Sequence, residues 1–119
     1  MKFLCLYKPG KESTGQPTPA EMQAMGGLIG EMMRAGVLLA TEGCEPSSKG
    51  ARLRINGPGR FAVTDGPFPE TKELVGGMAI IQVKSMTEAI EWGKRFLSVV
   101  GEGESEIRQL CEPPAAAAE

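Results

Sequence analysis

An α+β domain of split β-α-β-β-α-β order, with a β-hairpin inserted at its middle, is what the sequence predicts, and three observations carry that reading. Two helical patterns each begin at a hydroxyl residue followed three places later by glutamate, Thr18 to Glu21 and Ser85 to Glu88. Such pairs satisfy the free amides of a helix start. Three apolar runs, Phe3 to Tyr7, Val37 to Thr41 and Met78 to Val83, are long enough for strands and too short for helices. Between the second and third, Leu53, Ile55, Phe61 and Val63 alternate with Arg52, Arg54, Arg60, Ala62 and Thr64 around Asn56-Gly57-Pro58-Gly59. That pattern is a hairpin with one greasy and one basic face.

Each element follows in order. Phe3 to Tyr7 is unbroken apolar sequence ended by Lys8-Pro9-Gly10, a strand buried on both faces. Lys11 to Pro17 is a solvated loop. Thr18 caps a helix with Pro19 at its first position, running to about Ala35, with Met22, Met25, Ile29 and Met32 inward and Gly36 as a left-handed stop. Gly26, Gly27 and Gly30 each weaken it by about 1 kcal/mol relative to alanine, and the simplest compensation for Gly26 and Gly30 is close packing on a sheet. After the strand from Val37, Glu42 to Gly50 is loop, then the hairpin. Asp65-Gly66-Pro67-Phe68-Pro69 must turn, because two prolines lack amide donors, and Glu70 to Val75 forms a short helical turn. Met78 to Val83 is the strongest core strand. The second helix opens at Ser85, with Met86, Ala89, Ile90, Gly93, Phe96 and Leu97 inward and a Glu91–Arg95 pair outward. Glycines from Gly101 break it, and Glu104 to Cys111 is an edge strand burying Ile107.

Two helices cover one face of such a sheet, whereas its central strands carry apolar groups on both. Leaving about 600 Å2 of apolar surface wet forgoes on the order of 15 kcal/mol before association costs. A homodimer with two sheets face to face is therefore expected, with a cavity between them.

Composition narrows the function classes. The 119 residues fit one domain, expected over residues 1–111 with 112–119 as a mobile tail. Glycine and proline number 16 and 9, under the roughly 25–30% that signals disorder. With 13 basic and 15 acidic side chains the net charge is −2, which argues against a dedicated nucleic-acid binder. There is no histidine, which removes Ser-His-Asp and Cys-His nucleophiles and His-ligated metals; neither a metal nor a cofactor is expected. Cys5, Cys44 and Cys111 are far apart with no C-x-x-C pair, so a reducing compartment fits. The apolar run after Lys2 is five residues long, shorter than the roughly 7–15 of a signal-peptide core, and no later run approaches ~18. A cytoplasmic protein away from the membrane is expected.

Asp65-Gly66-Pro67-Phe68, followed by Glu70-Thr71-Lys72-Glu73 and Gly76-Gly77, closely resembles the hallmark of the YCII-related, DGPF-domain family. The similarity extends through Met78 to Val83, Ser85 to Trp92 and the opening strand, most of residues 1–111. The resemblance implies a ferredoxin-like, dimeric α+β barrel in bacteria, with some members linked to sigma factors of RNA polymerase. The YCII branch is suspected of enzymatic function through a histidine and an aspartate. Asp65 matches the aspartate, and the histidine has no counterpart, so the dyad is not carried over.

Two readings of the motif stand side by side. Asp65 accepts backbone hydrogen bonds in a turn and Gly66 takes a positive φ; or the segment, with Gly66 and Pro67 as further pocket candidates, lines a cleft at the sheet's end where Asp65 orients a polar ligand, Phe68 gives an apolar wall and Glu70, Lys72 and Glu73 close it. Tyr7, at the end of the first strand with a hydroxyl able to reach a polar tip, is either core or pocket. Arg52, Arg54 and Arg60 solvate the hairpin, or bind an anion. Trp92 packs along a helix margin, and no cysteine is marked as a nucleophile. The leading expectation is a small dimeric small-molecule-binding or accessory module, with sigma-factor linkage implied by the resemblance. The alternative is a cofactor-independent lyase, isomerase or monooxygenase with Asp65 as general base and Lys72 as electrostatic partner.

Overall fold

The computed structural model describes residues 1–10, 17–67 and 74–113. In order, the chain forms β1 (Lys2–Lys8), α1 (Pro19–Arg34), β2 (Leu38–Gly43), a 3-10 turn (Ser47–Lys49), β3 (Ala51–Gly57), β4 (Arg60–Asp65), β5 (Gly77–Gln82), α2 (Met86–Val100) and β6 (Glu104–Gln109). Four strands make an antiparallel sheet in the order β2-β5-β1-β6, and β3-β4 stand apart as a two-stranded sheet. This is a ferredoxin-like α+β fold with an inserted hairpin, as the order of elements predicts. The helical turn expected near Glu70, the loop at 11–16 and most of the tail lie outside the described residues.

Local chemistry sets the helix ends. The Thr18 hydroxyl accepts the Glu21 amide at 3.1 Å, with Pro19 opening α1. Ser85 does the same for Glu88 at 3.1 Å, while the Glu88 carboxylate reaches the Lys84 amide at 3.0 Å, one residue upstream of the reciprocal bond expected. Gly36 and Gly101 take φ of 72° and 83° just past the two helices, the left-handed geometry that closes a helix at little cost for glycine.

Register decides which side chains meet the helices. Phe3 faces Ile81 and Cys5 faces Ala79 on β5, and Cys5 faces Ile107 on β6. These pack with Leu28 and Met32 of α1 and Ala89 of α2 into the core, where Phe3 is wholly buried. By alternation, Leu4, Leu6, Ile80 and Met78, paired Leu4↔Ile80 and Leu6↔Met78, belong to the opposite face. The hairpin does not roof that face: Leu53, Ile55, Phe61 and Val63 are 61–65% exposed.

Three expectations about the helices need correction. Met22 is 60% exposed, and Leu28 joins Met32 in the core instead, so the buried stripe starts after the first turn. On α2, Met86 and Ile90 are exposed, while Trp92, Phe96 and Val99 pack inward around Ala89. Rolling the helix this way trades an isoleucine for the larger indole, which removes more apolar area from water. Nor do Gly26, Gly27 and Gly30 admit the sheet: added Cβ atoms at Gly26 and Gly27 would meet nothing within 4 Å, and at Gly30 only the Arg34 guanidinium. The close glycine contact is Gly93 of α2, whose added Cβ would lie 3.3 Å from Ile107.

Arg95 departs from its expected partner too. It gives a two-pronged contact to Glu31 of α1, one prong at 2.9 Å from Nη2 to Oε1, and lies over the Trp92 ring at 4.9 Å, while Glu91 pairs with Lys94 at 3.2 Å. A fork matched to a carboxylate across two helices outcompetes a single-prong contact along one. Hydrogen bonds from Arg95 hold the Glu31 carboxyl below its ordinary 4.5. A carboxyl depressed by folding stabilises above its unfolded value and loses that contribution as pH falls through the folded one. Glu31→Gln is therefore expected to melt below wild type near neutrality, by a small margin because both side chains are about half exposed. The gap closes as pH drops well below 4.5, and thermal melts across pH check this.

Candidate functional site

A cavity of about 380 Å3 lies between the helix-facing side of the sheet and the two helices. Its wall is built from alternate residues of β1 and from one stripe of each helix. Cys5 and Tyr7 come from β1, Met25, Leu28 and Met32 from α1, and Trp92 and Phe96 from α2. Gly93 adds width where a side chain would meet Ile107. Polar lining comes from Tyr7, Thr41 and Ser105, and Glu42, Gly43, Gly76 and Gly77 border the same end, where the Glu42 carbonyl closely approaches Gly77. An apolar chamber with a few polar groups at one end is the usual form of a small-molecule site.

Tyr7 is the best-fixed of these groups. Its hydroxyl donates to the Glu102 carbonyl at 3.0 Å, and its ring meets Phe96 edge-on, centroids 5.2 Å apart at 79°. Two glycines clasp the ring. A Cβ at Gly76 would come within 2.8 Å of Tyr7 Cδ2, and one at Gly103, where φ is +93°, within 2.7 Å of Cε1. Burial, reinforced by the nearby Glu102 carboxylate, pushes the Tyr7 phenol above its ordinary value, so it stays a neutral donor. Thr41 is fixed as well, donating to the Met78 carbonyl at 3.1 Å. The Cys5 thiol is pushed up by burial, the opposite of what a reactive thiolate needs. Among the described residues no three His, Cys, Asp or Glu side chains converge on a metal position.

Of the residues singled out from sequence, Tyr7 lines this cavity and Asp65, Gly66 and Pro67 do not. Asp65 ends β4, exposed and opposite Ala51. Gly66 is explained by closeness and not by the expected positive φ. Its amide donates to the Gly50 carbonyl at 3.1 Å, and an added Cβ would lie 1.6 Å from the Ser47 carbonyl oxygen. Phe68, Glu70, Lys72 and Glu73 lie outside the described residues. The cavity is also on the other side of the sheet from the inter-sheet space expected, roofed by the chain's own helices. Sequence reasoning missed Trp92, Met25, Thr41 and Ser105 as lining. The available signal was that Cys5 and Tyr7 share a strand face with Phe3, toward which both helical stripes must turn.

No helix among the described residues is long and apolar enough to cross a membrane. No curated protein matches the chain. Among solved structures it is similar to 5-chloro-2-hydroxyhydroquinone dehydrochlorinase from Burkholderia phenoliruptrix AC1100, in complex with 2,5-dihydroxybenzoquinone. Identity is 12%, coverage is 95% of this chain and 96% of that one, and the TM-score is 0.49. The family model for the YCII-related domain matches residues 1–112, in agreement with the motif and the strand order, and the chain belongs to that family.

Proposed function

We propose that this chain is a small-molecule-binding module that works as a homodimer, with the ligand held in the cavity between sheet and helices. The observation that carries the proposal is the cavity itself: about 380 Å3, walled by Met, Leu and aromatic side chains, with Tyr7 fixed as a polar tip. Its volume lies at the small end of the roughly 300–1,000 Å3 of ligand pockets, which suits a compact, largely apolar molecule bearing one or two polar groups. The second copy is supported by the sheet face opposite the helices, where Leu4, Leu6, Ile80 and Met78 meet in register. Proton transfer is not required for this role. Asp65 stands in the hairpin sheet, away from the cavity lining.

Two experiments test the site. Titration with 8-anilino-1-naphthalenesulfonate, read by dye emission, is expected to show saturable binding. Ile29→Trp, which fills the α1 side of the cavity, should weaken it at least about tenfold, or about 1.4 kcal/mol, with the melting temperature held or raised. Unchanged binding in Ile29→Trp places the dye elsewhere and removes the support for the cavity. Asp65→Asn tests that Asp65 stands apart from the cavity: dye affinity is expected to stay within about twofold and the melting temperature to move little, as for exposed surface substitutions, and a large loss of dye affinity would place Asp65 at the site after all.

A further inference from the structure

The hairpin is the least accounted-for part of the molecule. Leu53 faces Val63 and Ile55 faces Phe61 across β3 and β4, so the four form a two-by-two apolar patch on one face, each 61–65% exposed. Side chains of this size with that exposure leave on the order of 500 Å2 of greasy surface in water, at the upper end of the largest patch on an ordinary monomer. The chain's radius of gyration is 16.7 Å and its extents are 47 × 46 × 21 Å, against about 13.5 Å for a compact chain of this length. The molecule is a thin slab with an arm, and among the described residues the arm's apolar face stays open to solvent.

We infer that the apolar face of β3–β4 docks on a second copy of this chain, each arm holding the other subunit. The inference rests on the dimer proposed above and specifies what completes it. A stable interface buries about 800 Å2 per partner, roughly two-thirds of it apolar at the core of a homodimer. Leu4, Leu6, Ile80 and Met78 on the open sheet face are each half-buried by their neighbours. Together they expose less than about 300 Å2, short of that requirement. The hairpin patch supplies the missing part.

Two substitutions of the same charge on opposite faces of the arm test this. Phe61→Glu puts a carboxylate on the apolar face, and Ala62→Glu puts one on the face shared with Arg54. Light scattering and sedimentation across about 1–100 μM are expected to show a wild-type dimer, a dissociation constant raised at least tenfold by Phe61→Glu, and a change under twofold for Ala62→Glu. Amide exchange in the wild-type protein is the second readout, since it does not depend on either variant folding; protection of residues 51–65 should rise with concentration. A dimer indifferent to Phe61→Glu, with concentration-independent exchange in 51–65, overturns the arm contact and leaves a sheet-mediated dimer standing. A wild-type monomer throughout overturns both. Dye binding to the cavity, measured in the same samples, reports separately on the small-molecule role.

Discussion

A sheet with two apolar faces that meets, among the described residues, two helices on one of them is the constraint on which the rest of this molecule depends. The register sends Phe3, Cys5, Ala79 and Ile81 toward the helices and Leu4, Leu6, Ile80 and Met78 away from them. The first set is closed over by Leu28, Met32 and Ala89. Because a one-residue slip would exchange the two sets, the pairing of β1 with β5 fixes at once the core, the cavity wall and the apolar face turned away from the helices.

The cavity is a by-product of how the helices close that core. Near Phe3 the layers meet without a gap, since Phe3 and Ala89 are both wholly buried. Toward Tyr7 the strand residues become smaller or are replaced by glycine, with Ala79 and Gly77 opposite Cys5 and Tyr7. The layer of side chains thins while the helices keep their course, and space opens. Aromatic groups from both sides, Tyr7 and Phe96, then brace the open end.

Much of the fold was legible because it is written locally. The caps at Thr18 and Ser85, the stops at Gly36 and Gly101 and the hairpin turn are decided within four or five residues, and each is found where the sequence places it. The rotation of α2 was not legible, because Ile90 and Trp92 are both acceptable inward residues until the space under the helix is known. The glycines of α1 misled for the same reason: a small residue permits close approach without requiring it. Of the site, only Tyr7 was legible. Its clasp by Gly76 and Gly103 joins residues distant in sequence, and the cavity is a volume left between three elements, which no single segment encodes. The Asp-Gly pair drew attention for its chemistry, whereas at Gly66 the structure shows a packing requirement against Ser47.

The neck of the insert has a consequence of its own. Before the chain leaves the main sheet, the Cys44 amide is already bonded to the Gly76 carbonyl at 2.9 Å, and the Gly76 amide to the Tyr7 carbonyl at 2.7 Å. The two ends of the excursion are thus stapled together ahead of anything that happens along it. What happens along the arm is thereby uncoupled from the alignment of β2, β5 and β1: the insert can bend or be shortened as a unit while the strands that wall the chamber keep their places.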